Sequence, residues 1–291
     1  MKTKAPTLRQ FLDQFPTEEV CLEHLMRTRF GDRHDCSRCG RNAHFYRVRT
    51  RKVYSCEYCG NQVAPMADTP FERTRTPLRD WFHVIFLFCT TRNGVAAKEV
   101  ERQLGVTYKT AWRMCHEIRK YMGTVDGDHT LGGFTKQVEI DETIIGGKIE
   151  ASKGIMSNKT VVLGMLERGG NVVTEIVSNR RRNTLLPIIK DTVRPYSIIH
   201  TDEHTAYQTI KANGYYHETV NHSAEQYVSP TGSSVNAIEG FWAAVKRGIN
   251  GTHIHVSQKH LAKYLGEFEY RWNMRQTPHL MLNRLMVSFA R

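Results

Sequence analysis

Three acidic residues, far apart in the sequence, stand where their carboxylates could meet around a divalent metal ion. Asp141 and Asp202 each end a short run with strand character, and Glu239 lies on a later segment with helical periodicity. Mg²⁺ prefers hard oxygen ligands and keeps some of its waters, so a few acids from different elements can hold it. Two such ions suit an in-line phosphoryl displacement, because one activates the attacking oxygen and the other stabilises the leaving oxygen.

Other interpretations of these acids stay open at this stage. Acids at strand ends often cap the following turn, and a glutamate on a helix is usually solvated. Glu139 would share a strand face with Asp141, which makes it the stronger competitor, whereas Glu142 would point away. Glu203 is better placed at a helix N-terminus, where a negative charge complements the helix dipole.

The elements that must position these residues follow a polar, glycine-bearing linker at 127–133. The hydrophobic patterns predict three strands, a helix, a strand, a helix, a strand and a final helix. This is the element order of a ribonuclease-H-like α/β domain. The predicted bounds are strands 137–142, 160–166 and 172–177, helix 184–192, strand 197–202, helix 203–212, strand 215–220 and helix 235–248.

Four of the seven cysteines form two C-x2-C pairs separated by 16 residues, namely Cys36, Cys39, Cys56 and Cys59. Each pair can direct two thiolates to one side of a tight turn, and four thiolates close the tetrahedral site of a structural zinc ion. The pattern predicts a zinc ribbon with one zinc ion and short strands between 44 and 54. Four unrelated thiols or a redox pair are the alternatives. The other cysteines lie in apolar helical settings, so we expect no disulfide framework and a reducing compartment.

The middle of the chain has the pattern of a helix-turn-helix. We predict helices at 78–91 and 94–104, a stop at Gly105 and a third helix that is capped by Thr107 and runs to Met122. The predicted inward stripe of the third helix is Ala111, Cys115, Ile118 and Met122, and its predicted outward side chains are Lys109, Arg113, His116 and Lys120. An ordinary helical hairpin is the alternative.

The composition agrees with a polyanionic partner. The 291 residues include 41 Lys and Arg against 29 Asp and Glu, which gives a net charge of +12. Residues 1–135 hold 22 basic and 15 acidic side chains and the remainder hold 19 and 14, so both halves are basic. This balance favours nucleic acid, although basic charge can also serve solubility alone.

The hydrophobic pattern argues against a membrane or secreted protein. The longest apolar run, 84–89, is far shorter than a bilayer span of about 20 residues, and no apolar stretch follows the basic start of the chain. We therefore expect a cytoplasmic, nucleoid-associated protein.

Several residues have positions that suit contacts with DNA. Arginines 47, 49 and 51 alternate with other residues, which on a strand would place all three on one face, although a solvated face is an alternative. The start of the third helix would face bases in a major groove. The predicted DNA-binding residues are Arg47, Arg49, Arg51, Thr107, Tyr108, Lys109, Arg113, Lys120 and Arg247.

Two further sets of cationic or titratable side chains follow Glu239. Lys246 comes seven residues later, which is two helical turns, so it would lie on the same helix face and could hold a phosphate next to the metal ions. His253 and His255 alternate as on a strand and could imitate a metal-binding pair. Because no third ligand is close to them in the sequence, we interpret them as DNA-facing or structural.

Together these motifs resemble a bacterial insertion-sequence transposase of the DDE class, in the zinc-ribbon (ISXO-type) group. The matching stretches are the paired cysteines and residues 138–148, 200–202, 235–248 and 269–275. The resemblance implies a ribonuclease-H-like core that uses two Mg²⁺ or Mn²⁺ ions to cleave and transfer DNA strands. It also implies a homo-oligomer on double-stranded DNA, at the element's terminal repeats and in the target, with no membrane and no small-molecule substrate.

The resemblance also assigns roles. Asp141 and Asp202 match the two family aspartates, and Glu239 with Lys246 matches the third acid and its trailing lysine. Asn236, one turn before Glu239, is the alternative third position; we prefer Glu239 because a carboxylate holds Mg²⁺ better than a neutral amide. In the implied mechanism Asp141 bridges both ions, while Asp202 and Glu239 each complete one. Water attacks first and frees a 3′-OH, which then attacks target DNA without a covalent protein–DNA intermediate.

The predicted organisation is an N-terminal helical segment (1–32), a zinc ribbon (33–68), a helix-turn-helix region (76–126) and a ribonuclease-H-like DDE transposase domain (134–291). Two rival functions share these motifs, namely a non-catalytic DNA-binding regulator derived from a transposase and a metal-dependent nuclease without strand transfer. A zinc-dependent hydrolase is a third rival, but four cysteines leave no open coordination position on the zinc.

Overall fold

The computed structural model describes residues 5–146, 159–220 and 234–290. Gly147 and Lys148, the end of the motif at 138–148, lie outside the described residues. The helices are α1 (Leu8–Gln14), α2 (Glu18–Phe30), α3 (Leu78–Thr90), α4 (Ala97–Leu104), α5 (Tyr108–Asp126), α6 (Arg182–Thr192), α7 (Asn236–Arg247), α8 (Gln258–Asn273) and α9 (Met281–Val287). The strands are β1 (His34–Asp35), β2 (Asn42–Ala43), β3 (Phe45–Val48), β4 (Val53–Cys56), β5 (Gln62–Val63), β6 (Leu131–Gly132), β7 (Gln137–Ile145), β8 (Thr160–Glu167), β9 (Val172–Val177), β10 (Val193–Arg194), β11 (Ile198–Thr201) and β12 (Tyr216–Thr219).

The chain divides into two compact units. One unit consists of the residues up to Tyr121 together with those from Gln276 onward, and the other is Met122–Arg275. The boundary falls within α5. Across the described parts of the chain, no helix combines the length and the apolar character that a membrane span requires.

The first unit begins with two short helices whose starts follow from local capping. Thr7 accepts from the Gln10 amide while the Gln10 side chain accepts from the Thr7 amide, which is a capping box. Thr17 caps α2 without a reciprocal side-chain bond, and its hydroxyl accepts from the Val20 amide at 3.3 Å. The N-terminal segment is therefore helical, as predicted.

Short antiparallel strands form the ribbon, also as predicted. β3, β4 and β5 form one sheet, and β1 pairs with β2. The expected row of three arginines on one strand is wrong, because the Arg51 amide donates to the Val48 carbonyl and closes a turn there. Arg49 and Arg51 lie exposed in that turn, and only Arg47 lies on a strand. Arg47 is partly buried and pairs with Glu19 at 3.7 Å.

The helices of the middle segment follow the sequence pattern closely. α4 begins at Ala97, three residues later than predicted, and ends at Gly105, whose φ of +65° suits glycine. The Thr107 hydroxyl accepts from the Thr110 amide at 3.3 Å and so caps α5. All four residues of the predicted inward stripe are fully buried. His116 was expected to point outward, but it is 3% exposed and its ring stacks on Trp112 at 3.8 Å.

The second unit is built on a five-stranded sheet in the order β12-β11-β7-β8-β9. β7, β8 and β9 are antiparallel neighbours, while β11 runs parallel to both β7 and β12. The predicted strands and the helices α6 and α7 are all present, but β7 continues to Ile145, so Asp141 lies in the middle of the strand and not at its end. The predicted helix at 203–212 is wrong. In its place are 3₁₀ turns at Thr205–Tyr207 and Lys211–Asn213. The Asp202 side chain accepts from the His204 amide, a local bond that competes with helix formation.

The two faces of this sheet carry separate cores. α7 and α8 cover one face, and α6 covers the other with the turn at Thr205–Tyr207. α8 contributes Leu261, Leu265 and Phe268 to the first core, and Trp272 packs against them. His253 and His255 are not on a strand, because a π-helical segment at Gly248–His253 follows α7.

Side chains of α8 cover the edge of β9. The Asn273 side chain accepts from the Val172 amide at 2.7 Å and donates to the Val172 carbonyl at 3.1 Å, as a neighbouring strand would. Two residues along, Glu269 accepts from the Thr174 amide at 2.7 Å. Residues of the motif at 269–275 therefore provide hydrogen-bond partners for backbone groups on the outer edge of β9, the last strand in the described sheet.

α7 approaches β8 most closely at Gly164. A Cβ atom at this position would lie 2.4 Å from Trp242 Cζ2 and 2.9 Å from Ile238 Cδ1, both on α7. Such distances cannot be accommodated without moving the helix. Gly164 therefore sets how near α7 can lie to the sheet.

We predict that Gly164→Ala lowers the free energy of unfolding by about 1–3 kcal/mol, because the added methyl group overpacks this contact. Gly240→Ala is the matched control, since a Cβ atom there meets nothing within 4 Å and alanine favours the helix. The control should be neutral or more stable in urea denaturation. Equal stability of the two variants would contradict this account of the α7 packing.

Candidate functional site

Asp141 and Asp202 lie side by side on neighbouring parallel strands. The register of β11 on β7 sets His200 opposite Glu139. Continuing this register by two residues places Asp202, just after β11, opposite Asp141 on β7. The two aspartates singled out from the sequence therefore come from adjacent strands at the same level of the sheet.

The side chain of Asp141 faces α7. In the antiparallel pair of β7 and β8, Asp141 lies opposite Gly164, and directly opposed residues project to the same face of a sheet. The close contact of Gly164 with Trp242 and Ile238 shows that this is the face α7 covers. Glu239 follows Ile238 in the first turn of α7 and is exposed.

The three predicted acids share one electrostatic neighbourhood. Burial, followed by the negative charges of Glu142, Asp202 and Glu239, raises the pKa of Asp141 to about 7. Like charges in a partly buried site disfavour ionisation, and a nearby cation would favour it. A carboxyl group perturbed by burial and by specific charged neighbours is typical of a functional site.

The three acids interact electrostatically, but their carboxylate oxygens do not all lie within 4.8 Å of one another. Within the described ranges, the four cysteines are the only group of three or more potential ligand atoms that all lie within 4.8 Å of one another. One oxygen of Asp202 also accepts from the His204 amide at 3.0 Å, which is the capping role considered above. The donor set fits a hard ion such as Mg²⁺, which keeps several waters and needs few protein ligands.

Glu142 is the residue that sequence reasoning missed. It lies on the face of β7 opposite to Asp141, as expected, but its charge acts on Asp141 more strongly than that of Asp202. Burial raises the pKa of Glu142, and Asp202 raises it further. The available signal was that Glu142 is adjacent to Asp141 in the sequence. Alternation along a strand could not show that the charge of Asp202 acts on both residues, although they lie on opposite faces of β7.

Glu139 has a structural role instead of competing for the metal. It is 1% exposed, and one oxygen accepts from the amides of Ala237 and Ile238 at 2.8 and 3.0 Å. Its other oxygen accepts from Arg168 at 2.7 Å. A carboxylate at the start of α7 complements the helix dipole. Glu139 thus anchors the helix that carries Glu239.

Lys246 and Arg247 are exposed at the end of α7. Lys246 lies two turns from Glu239 and lines a cavity of about 140 Å³ together with Ile144, Asn250 and His255. The cavity therefore places a cation and a histidine near the end of β7, on the side of the sheet that α7 covers.

The four cysteines of the ribbon converge as predicted. Cys36 and Cys59 sulfurs lie 3.5 Å apart, and those of Cys39 and Cys56 lie 4.0 Å apart. The Cys39 amide contributes most to lowering the pKa of Cys36 to about 6, which favours the thiolate that binds metal. The sulfurs fit one tetrahedral zinc ion with no open position, which is a structural site.

The predicted DNA contacts on α5 have mixed surroundings. Thr107, Tyr108 and Lys109 are exposed at the start of the helix, and Lys120 is exposed further along. Arg113 is exposed but lies over the Trp81 ring at 5.4 Å and donates to Thr74, so part of its hydrogen-bonding capacity serves the fold. These assignments, like those on the ribbon, stay predictions.

Comparison with known proteins gives consistent matches. The ISXO2-like transposase domain matches residues 130–273, and the transposase zinc-ribbon domain matches residues 16–62. An uncharacterized transposase-like protein of Haemophilus influenzae is 34% identical over 105 residues, which cover 35% of this chain and 80% of that protein. An uncharacterized protein in transposable element ISH50 of Halobacterium salinarum is 24% identical over 255 residues, which cover 80% of this chain and 82% of that protein.

Among solved structures, a pre-cleavage Mos1 transpososome is 12% identical and covers 72% of this chain and 79% of that chain. The TM-score is 0.27, so the likeness is too weak to bear on the fold.

We predict one zinc ion per chain, bound by the ribbon. Removing it with a chelator should unfold residues 33–62, because metal binding and folding are coupled in small metal sites. Elemental analysis and limited proteolysis of this segment measure the two effects. Cys36→Ser should lose the zinc, whereas Cys21→Ser, which changes a buried thiol outside the cluster, should retain it. Zinc retained by Cys36→Ser would contradict the assignment.

We also predict a pH-dependent stability difference between wild type and Asp141→Asn without added divalent metal. The ordinary pKa of Asp141 is 3.8 and its pKa in the folded protein is about 7. Between these values the folded state keeps a proton that the unfolded state has lost, so this group makes the protein less stable as pH rises. Asp141→Asn should therefore become increasingly more stable than wild type from pH 5 to pH 8.

Urea denaturation at several pH values measures this difference. Burial also raises the pKa of Glu269 to about 7. Its contribution to the pH dependence of stability is the same in wild type and variant, so it cancels in the difference between them. Glu203→Gln, an exposed acid near the cluster, should leave the wild-type pH profile unchanged. A stability gain in Asp141→Asn that is the same at every pH would show that the charge of Asp141 is not its cause.

Proposed function

This chain belongs to the ISXO2-like transposase family, and we propose on that premise that it cuts DNA at insertion-sequence ends and joins the freed 3′-OH to target DNA. The observation that carries the proposal is the mutual charge of Asp141, Asp202 and Glu239. These residues come from two strands and a helix, and with burial and Glu142 the other two raise the pKa of Asp141 to about 7. A centre of this kind suits metal-assisted phosphoryl transfer.

The proposed catalytic domain, residues 134–291, is ribonuclease-H-like. Its support is the sheet order, in which the antiparallel strands β7, β8 and β9 are extended by the parallel strands β11 and β12. Glu139 of β7, which pairs in register with His200 of β11, accepts hydrogen bonds from the first amides of α7. The proposed zinc ribbon (33–68) and helix-turn-helix region (76–126) precede this domain.

Asp141, Asp202 and Glu239 are the proposed ligands of two divalent ions, Mg²⁺ or Mn²⁺. When bound, these ions would activate the attacking oxygen and stabilise the leaving oxygen. Asp141 lies between the strand that leads to Asp202 and the helix that carries Glu239, so it would act as a ligand together with either of them. Its proton must leave before it can act as a ligand, so metal binding should weaken as pH falls below about 7.

The remaining residues act on the DNA. Lys246 lies two turns from Glu239 on α7 and would bind a phosphate beside the reacting one. Water would attack the phosphodiester at the element end and break its bond to the 3′ oxygen, which leaves as the 3′-OH. This hydroxyl would then attack a phosphodiester of the target and form a bond to its phosphorus, while the target's own 3′ oxygen leaves as a free 3′-OH. No side chain therefore needs to become linked to DNA.

DNA binding is proposed for the exposed start of α5, where Thr107, Tyr108 and Lys109 would enter a major groove. Lys120, Arg113, Arg247 and the ribbon arginines 47, 49 and 51 would contact phosphates. We also propose that two or more copies of the chain assemble on DNA.

The test is cleavage and joining of a labelled duplex that carries the element's end, with Mg²⁺. Asp141→Asn, Asp202→Asn and Glu239→Gln should each lose about 100-fold or more of the cleavage rate, since a metal ion contributes several kcal/mol to the transition state. Asn236→Ala should retain activity if Glu239 is the third ligand.

Glu203→Gln is the control, because Glu203 follows Asp202 and is exposed but has no proposed role. All variants should bind the duplex with the affinity of wild type, so a lower cleavage rate would not be caused by weaker DNA binding. Cleavage without joined products would show a nuclease. Binding without cleavage by wild type would show a DNA-binding regulator, and an active Asp141→Asn would overturn the catalytic assignment.

A further inference from the structure

Beside the acid cluster lies a cavity lined by three consecutive arginines that none of the roles above uses. Arg180, Arg181 and Arg182 line it together with Asn179, Asn183 and His204, and its volume is about 530 Å³. All three arginines are exposed, and the lining contains no acidic residue. We call this feature the arginine cavity.

The arginines occupy the end of α6 at which positive charge is unfavourable. Arg181 is the N-cap residue and Arg182 is the first residue of the helix. The first turn contains no acid, and no side-chain hydrogen bond caps the helix. Helix N-termini favour anions and disfavour cations. This charge arrangement costs stability in the free protein and would be relieved by an anion in the cavity.

The loop that carries the arginines is fixed by its own hydrogen bonds. The Asn179 side chain accepts from the Arg181 amide and from the Thr184 hydroxyl, both at 2.9 Å. Arg182 donates to the Thr205 carbonyl at 3.5 Å, which ties the loop to the other wall of the cavity. The backbone is therefore organised before any ligand arrives, while the guanidinium groups stay accessible.

The arginine cavity is connected to the candidate active site by its far wall. His204 lines the cavity, and its amide donates to Asp202 at 3.0 Å. The charge of Arg180 also acts on Glu142, where it opposes the effects of burial and of Asp202 on the pKa. The cavity thus lies next to the acids on the α6 side of the sheet, whereas Lys246 lies on α7.

We propose that Arg180, Arg181 and Arg182 bind a backbone phosphate of the DNA strand whose neighbouring phosphodiester is held at Asp141 and Asp202. This inference rests on the proposed function and adds a second cationic contact, on the face of the sheet away from Lys246. Guanidinium groups match phosphate with two parallel hydrogen bonds. Phosphate contacts position a strand without reading its sequence, so the site should fix the DNA and act equally on any sequence.

The test combines arginine variants with DNA in which single phosphates are neutral. Element-end duplexes that each carry one methylphosphonate are titrated by fluorescence anisotropy, with Ca²⁺ in place of Mg²⁺ to prevent cutting. For wild type, neutralising the bound phosphate should lower affinity about 10-fold. In the triple variant Arg180→Gln, Arg181→Gln and Arg182→Gln, the same neutralisation should have no further effect, and the salt slope of binding should fall by about one, as expected for one lost phosphate contact.

Arg194→Gln is the matched control for the single variant Arg181→Gln, since Arg194 is an exposed arginine of the same unit outside the cavity. The arginine variants should keep the thermal stability of wild type or exceed it, so lost affinity would not reflect unfolding. The inference is overturned if a neutral phosphate lowers the DNA affinity of wild type and of the triple variant by the same factor. It is also overturned if Arg194→Gln lowers DNA affinity as much as Arg181→Gln does. If wild type does not cut DNA but the arginines and one phosphate still show this dependence on each other, the phosphate site is supported and the proposed catalysis is rejected.

Discussion

The geometry of the candidate active site depends on a buried carboxylate that is not one of its proposed ligands. Glu139 accepts from the first amides of α7 and from Arg168. Because Glu139 lies two residues before Asp141 on the same strand face, this one side chain sets the start of α7 against β7. Gly164 then sets how closely the helix can approach the sheet. The position of Glu239 follows from these two constraints together.

The site is organised at the expense of stability. Asp141, Glu142 and Asp202 are close enough for each charge to disfavour the next, and partial burial increases the effect. Such an arrangement is retained in proteins when a cation or a reaction depends on it. The arginine cavity shows the opposite imbalance, with cations at a helix N-terminus. The two imbalances are neighbours, which agrees with the proposed binding of one DNA strand by both the acids and the arginines.

The sequence predicted what depends on regular periodicity and failed where local bonds compete with it. Alternation located the strands of the large sheet, and the paired cysteines located the ribbon. The helix expected after Asp202 is absent because the aspartate binds the His204 amide. Arg49 leaves the expected strand row because a hydrogen bond closes the turn. Glu142 was underestimated because alternation along β7 places it on the face away from Asp141, and alternation does not report that the charge of Glu142 still acts on Asp141.

The side chains of α8 that cover β9 have a consequence for the synthesis of the chain. Asn273 lies 101 residues after Val172, whose backbone groups it satisfies. At about 5–20 residues per second, the ribosome needs roughly 5–20 s to make the intervening chain. During that interval β9 has emerged while its cover does not yet exist, and an uncovered strand edge can pair with another chain. In the period between translation of β9 and of α8, the nascent protein is therefore exposed to pairing with another chain at this edge.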